Sequence, residues 1–251
     1  VWLSVLESDV FSYPGMYLTK EGTHNRHYLS GSFPRYPLAW EPGGWGTFSL
    51  IVTERADFIA KTEGERMFPW RALLVAREQT ELVDSDLVYK LARPAKIQTD
   101  WIEPGLVSWE WWNAWNLEGV DFETGVNNQT YEYYIDFAAE NGIPYVIMDE
   151  GWSDQFDVLL PTPKVDMEHL TDYAAKKGVG LILWGVWYTM DRQYEEAFEL
   201  FEKWGIAGVK IDFIDRDDQL GIEFYERLVK AAAEHKLLVD YHGCSKPTGL
   251  H

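Results

Sequence analysis

One cysteine, Cys244, stands alone among 251 residues, so no internal disulfide can form, and no pair of residues has zinc-ligand spacing. Basic residues are scarce as well: 22 Lys and Arg face 41 Asp and Glu, a formal net charge of -19. Neutralising phosphates needs clustered Lys and Arg, so nucleic acid is not an expected partner. No uninterrupted apolar run approaches the ~20 residues of a membrane helix, and no basic-then-apolar leader opens the chain; a membrane is not expected either. What the chain has in abundance is apolar and aromatic surface, 46% and 16%, including 13 tryptophans, which is ample for a core.

The hydrophobic pattern changes in kind part-way along. Residues 1–94 carry short apolar and aromatic runs, such as Val1 to Leu6, Met16 to Thr19 and Arg71 to Arg77, broken by Pro, Gly and charged stretches. This reads as part of a β-sandwich domain. The stretch Leu91 to Pro104 holds two prolines and marks the boundary, so residues 95–251 form the second domain. There, strand-like runs (Val107 to Trp112, Tyr145 to Met148, Gly180 to Trp187, Gly208 to Phe213, Leu237 to Tyr241) alternate with helix candidates. The helices are placed at Thr130 to Glu140, Met167 to Lys176, Gln193 to Trp204 and Gln219 to His235. Continuous apolar strands with helical crossovers predict a parallel sheet of α/β class. Where a doubly wound sheet would carry a glycine-rich phosphate loop, this chain has Trp109-Glu110-Trp111-Trp112-Asn113. The expected architecture is therefore a (β/α)8 TIM-type barrel with about its first five units present.

Barrel chemistry gathers at the carboxyl ends of the strands. From the second strand on, each run ends polar or aromatic: Asp149-Glu150-Gly151-Trp152, Trp184 to Trp187, Asp212-Phe213 and Asp240-Tyr241-His242. Carboxylates among tryptophans suit a carbohydrate, whose ring faces stack on indole while its hydroxyls donate to acids. Trp152, directly after two acids, is expected to be such a contact. Asp212 is the sharpest signal, because it interrupts an apolar strand where an unpaired carboxylate would cost several kcal/mol. Alternation puts Lys210 on the same face, toward the barrel interior. Asp215, Asp217 and Asp218 precede a helix and read as solvent-exposed capping acids, and Cys244 as a small buried filler.

Four segments together resemble glycoside hydrolase family 97: Trp111-Trp112-Asn113, Met148 to Trp152, Gly208 to Gln219, and His242-Gly243-Cys244-Ser245-Lys246-Pro247-Thr248-Gly249. The resemblance covers essentially the whole chain and identifies residues 1–94 with the last part of that family's N-terminal β-super-sandwich. It implies a retaining, exo-acting α-galactosidase: Asp212 matches the aspartate nucleophile of retaining members, and Gly243 stands where inverting members carry a base glutamate. It also implies that Asp149, Glu150, Trp152, Lys210, Asp240, His242 and Trp112 form the sugar-binding set. Alternatives are an α-glucosidase, a β-L-arabinopyranosidase or a non-catalytic carbohydrate-binding protein. The ligand is then a small oligosaccharide or a polysaccharide-derived sugar.

The resemblance further implies calcium, with Glu7 of Glu7-Ser8-Asp9 as one ligand, and a periplasmic or secreted bacterial location. The family's acid/base is a glutamate after the fifth strand, which the spacing carries beyond His251. The expected outcome is that these 251 residues alone do not turn over an aryl α-galactoside; measured release of the aryl group by the isolated chain would refute it.

Overall fold

A computed structural model describes residues 1–23, 26–246 and 248–249; Pro247 of the fourth segment lies outside them. The first part is built from antiparallel pairs. β1 (Trp2–Ser8) pairs with the sixth strand, β2 (Tyr17–Thr23) with β3 (Arg26–Ser32), and β4 (Pro37–Gly43) with β5 (Ser49–Arg55). The sixth, β6 (Trp70–Ala76), is followed by two short helices, α1 (Thr80–Val83) and α2 (Leu87–Leu91). Both faces of these pairs stay largely exposed, with Leu3, Leu73 and Val75 open to solvent.

The second part alternates strand and helix. In order come β7 (Val107–Trp109), α3 (Asn128–Glu140), β8 (Tyr145–Met148), the small hairpin β9 (Ser153–Asp154) and β10 (Asp157–Pro161), and α4 (Met167–Lys177). These are followed by β11 (Gly180–Val186), α5 (Trp187–Trp204), β12 (Gly208–Asp212), α6 (Gln219–Glu234) and β13 (Leu238–Tyr241). Strands β7, β8, β11, β12 and β13 form one parallel sheet in sequential order. Sequential order with a helix on every crossover is the winding of a (β/α)8 barrel, and five units of it are here. Among the described residues no helix is long and apolar enough to cross a membrane.

Local chemistry explains the boundaries. Asn127, Asp166 and Asp218 cap α3, α4 and α6 by accepting the N–H groups of Thr130, His169 and Gly221. Gly178 and Gly205 close α4 and α5 in the left-handed conformation. The core lies between sheet and helices: Val146, Leu181, Leu183, Val209 and Ile211 face Ile135, Leu170, Phe198, Phe201 and Leu228. The alternate residues of the strands point into the barrel.

Three expectations change. The first strand stops at Trp109, because Glu110–Asn113 turns into a 3-10 helix that ends with Ala114 and Trp115 both at positive φ. Helix α5 begins at Trp187 rather than Gln193; its first turn, Trp187 to Met190, is wholly buried and so shows no amphipathic period. The acids before α6 are not simple surface caps. Asp218 is buried in a two-pronged ion pair with Arg216, at 2.9 and 3.0 Å, and Asp217 is buried against the Tyr17 hydroxyl at 2.9 Å. Asp215 is exposed, with its carboxylate accepting the Ser49 hydroxyl.

Removing Asp218 leaves a buried guanidinium without its fork and α6 without its cap. Asp218→Ala should cost about 3–5 kcal/mol, read from urea unfolding midpoints; a cost below about 1 kcal/mol would show that the pair adds little.

Candidate active site

Strand register assembles the site. Trp184 of β11 lies opposite Lys210 of β12, which lies opposite Asp240 of β13, and Asp149 directly follows β8 on the same interior level. One residue further along β12 comes the helix-facing Ile211, and then Asp212, which points inward again at the strand end. The Lys210 ammonium is 2% exposed and sits 2.5 Å from Asp149 Oδ2 and 3.5 Å from Asp212 Oδ2, above the Trp109 ring at 4.3 Å. Asp149 also accepts the Trp109 indole N–H at 2.6 Å.

Asp212 is 7% exposed and ringed by donors. Its Oδ1 accepts the Phe213 N–H at 2.7 Å; its Oδ2 accepts the Trp184 indole N–H at 3.3 Å and lies 3.0 Å from His242 Nδ1. Such a carboxylate is fixed in direction while its charge is offset, which is what a nucleophile or electrostatic stabiliser requires. Gly243 supplies the space beside it: a Cβ there would meet Asp212 Oδ1 at 2.6 Å, and the residue sits at φ 52°.

Residues 111–251 match the family described as Glycoside hydrolase 97, and residues 1–94 the one described as Glycosyl-hydrolase 97 N-terminal. The chain belongs to glycoside hydrolase family 97. It is 43% identical over its whole length to a protein named "Retaining alpha-galactosidase" from Bacteroides thetaiotaomicron, and 34% identical over 88% of its length to a "Probable retaining alpha-galactosidase" from Streptomyces bingchenggensis. It spans 38% and 34% of those relatives. Among solved structures it superposes on a family 97 enzyme from Pseudoalteromonas sp. strain K8 in complex with acarbose, with TM-score 0.74 and 26% identity, covering 98% of this chain and 40% of that one. A β-arabinopyranosidase shares the fold at TM-score 0.71 and 23% identity, covering 99% of this chain and 37% of that one.

In this family 97 chain the other expected contacts divide. His242 and Trp112 stand at the mouth: Trp112 is 78% exposed, and its ring packs on Trp109, which also meets Trp111 and His242. Asp240 is exposed on the interior face of β13, and its carboxylate makes no hydrogen bond or ion pair among the described residues. Glu150 is half-buried, and burial together with the Asp149 charge pushes its carboxyl up. Trp152 is a correction. It is 0% exposed, packs edge-on against Phe201 of α5 and donates its indole N–H to the Trp184 carbonyl at 2.8 Å. Gly151 at φ 106° turns the chain away from the mouth, so this tryptophan fills the helix side of the sheet. Cys244, expected inside, is exposed.

Glu7 is buried but already compensated. Arg71 and Lys246 each approach it at 2.8 Å, and it accepts the Met16 N–H at 2.7 Å. The Arg71 contact is ionic without hydrogen-bond alignment. Calcium takes six to eight oxygen ligands, and among the described residues no group of three His, Cys, Asp or Glu assembles one. The donors around Glu7 do not by themselves fit the ion. Glu7 instead lines a cavity of about 580 Å³ with Tyr17, Asp217, Gly243 and Lys246, between β1 and β2 and the segments that follow β12 and β13.

Sequence reasoning missed Trp109 and Glu110, which look like ordinary apolar or loop residues in the pattern, and placed Trp184 at a strand end without giving it a partner. Glu110 is 0% exposed; its Oε1 accepts the Asp149 N–H at 2.6 Å, and its Oε2 has no hydrogen-bond partner among the described residues. The buried Tyr131 hydroxyl lies against it, with the Trp115 indole beside that hydroxyl. Burial pushes the Glu110 carboxyl up to about 8, with the Asp149 charge adding to the rise. A carboxyl raised in this way favours folding most when both states are protonated, below about 4.5, and loses that favour as pH climbs toward 8. The stability difference between wild type and Glu110→Gln should therefore shift against wild type by a few kcal/mol over that interval. Parallel pH profiles of the two in urea unfolding would exclude Glu110 as the proton-binding group.

Proposed function

We propose that this chain carries the nucleophile of a retaining, exo-acting α-galactosidase. The observation that carries the reading is Asp212: a carboxylate at the rim of a parallel barrel sheet, aimed inward, with donors on both oxygens and only the side-chain-free Gly243 packed beside it. Attack by one carboxylate oxygen forms a bond to the anomeric carbon as the glycosidic C–O bond breaks, giving a glycosyl ester. The leaving oxygen takes a proton from a general acid, which the family resemblance assigns to a glutamate outside this chain. Water, losing its proton to the same glutamate, then adds at that carbon as the bond to the carboxylate breaks; two inversions sum to retention.

The protein's own groups serve this sequence by position. Trp184, His242 and the Phe213 N–H orient Asp212, while Lys210 bridges it to Asp149 and fixes the floor of the pocket. Trp109 and the exposed Trp112 offer an aromatic wall for a sugar face. Galactose as the transferred sugar rests on the 43% identity to the Bacteroides protein of that name. Calcium belongs to this reading only with oxygen ligands from sequence that the relatives have and this chain does not cover. A periplasmic or secreted location is likewise part of the proposal, on the family resemblance alone.

The test uses an enzyme of the relatives' length that contains this chain. Incubation with a 2-deoxy-2-fluoro-galactosyl donor should add one fluorosugar to the peptide holding Asp212, and Asp212→Asn should abolish it. Labelling of another residue, or an inverted anomer as first product, overturns the mechanism. Rates on aryl α-galactoside, α-glucoside and β-L-arabinopyranoside decide the sugar, with the galactoside expected to lead.

A further inference from the structure

The β-domain sends one loop onto the barrel mouth. Between β4 and β5, Trp45–Thr47 forms a 3-10 turn preceded by Gly43 and Gly44. Its shape is imposed rather than free. Gly44 and Gly46 have φ of 73° and 60°, Thr47 is also at φ 60°, and a Cβ on Gly46 would strike the Phe48 ring at 2.8 Å. Barrel residues hold it there: Gln155 Nε2 lies 3.2 Å from the carbonyls of both Gly46 and Thr47, and the Tyr188 hydroxyl donates to the Thr47 carbonyl at 2.9 Å.

What this pinned loop presents is a single indole. Trp45 is 72% exposed, yet its ring stacks on Phe213 at 6.0 Å and 23° between planes, and Phe213 directly follows Asp212. Phe48 continues the aromatic path, at 4.8 Å from Phe213 and 5.7 Å from Trp184, the indole that donates to Asp212. Phe213 itself is held at φ 61°, a cost for a bulky residue that places its ring under Trp45. In the sugar pocket Asp149, Trp109 and Trp112 belong to β7, β8 and the residues directly after them, with Lys210 reaching Asp149 from mid-β12, whereas Trp45 stands over the ends of β11 and β12.

We propose that Trp45 is the stacking platform for the ring of the leaving group, so that the β-domain completes the substrate site with a subsite for a pyranose or aromatic aglycone. This rests on Asp212 being the nucleophile. A bond broken beside Asp212 has the transferred sugar on one side and the leaving ring on the other; the floor residues take the first, and the exposed indole face is left for the second. An apolar ring face placed there covers indole surface already immobilised, so little ordering entropy opposes binding.

The experiment compares two substrates with the same α-galactosyl group in an intact enzyme containing this chain: an aryl galactoside or galactosyl disaccharide, and α-galactosyl fluoride, which has no leaving ring. Trp45→Ala should lower kcat/KM on the ringed substrates roughly tenfold, leave the fluoride within about twofold, and be largely rescued by Trp45→Tyr. Equal loss on both substrates would show that Trp45 only props Phe213 and Asp212, and overturns the proposal, as does no loss on either. If wild type turns over neither galactoside, the galactosidase reading fails on its own, and the same pair built on the sugar the enzyme does accept decides the role of Trp45.

Discussion

Lys210, Asp149 and Asp212 form a buried charged cluster on the interior face of the parallel sheet, and only Lys210 is a cation. Lys210 lies between Asp149 and Asp212, closer to the former, and is almost wholly removed from water. Taking each ion out of water costs several kcal/mol, and the attraction offsets it only with good geometry and further donors. Those donors are present: the indoles of Trp109 and Trp184, the Phe213 N–H and the His242 ring. The cluster also fixes register. A one-residue slip of β12 would turn Lys210 and Asp212 toward α5 and α6, and bring Ile211 into the charged pocket.

The same need for partners governs the junction of the domains. Gln219, at the start of α6, accepts the Lys61 N–H at 2.7 Å and donates to the Lys61 carbonyl at 2.8 Å, while Ser12 binds Glu223 and Glu226 on the next turns. Tyr17 of β2 donates to Asp217, and Ser49 of β5 to Asp215. Burial and the Asp217 hydrogen bond push the Tyr17 hydroxyl up to about 12, so it stays a donor throughout the neutral range. Thus the segment directly after the strand that ends in Asp212 is tied to the β-domain residue by residue. These contacts seat the β-rich first part of the chain on the segment that follows Asp212.

How far this was legible in the sequence depends on period and polarity. The parallel strands from Tyr145 onward and the helices α3, α4 and α6 announce themselves through continuous apolar runs, 3.6-residue spacing and capping Asn or Asp. Asp212 was visible because a carboxylate inside an oily strand demands a reason. Trp152 misled because neighbouring acids made it look like a sugar contact, and no local signal tells which way a chain turns after a glycine at positive φ. Glu110 and Trp45 were invisible for a different reason. Both matter through contacts distant in sequence, with Asp149 and with Phe213, and a single sequence carries no record of such pairs.

Gly243 ties the fifth-strand loop to the chemistry of the fourth strand. Its Cα stands so close to Asp212 that an added Cβ would lie 2.6 Å from the carboxylate oxygen and 3.0 Å from the Phe213 nitrogen, the donor that aims Asp212. Any larger residue at 243 must therefore displace the carboxylate or break its backbone hydrogen bond, and a backbone at φ 52° adds strain for a residue with a side chain. A glutamate at this position, which the resemblance gives to inverting members, would add a second negative charge where the first already uses the donors at hand. With Asp212 placed as it is, an acidic side chain at 243 meets both a steric and an electrostatic obstacle. A single missing side chain beside His242 thus leaves Asp212 both its position and its backbone donor.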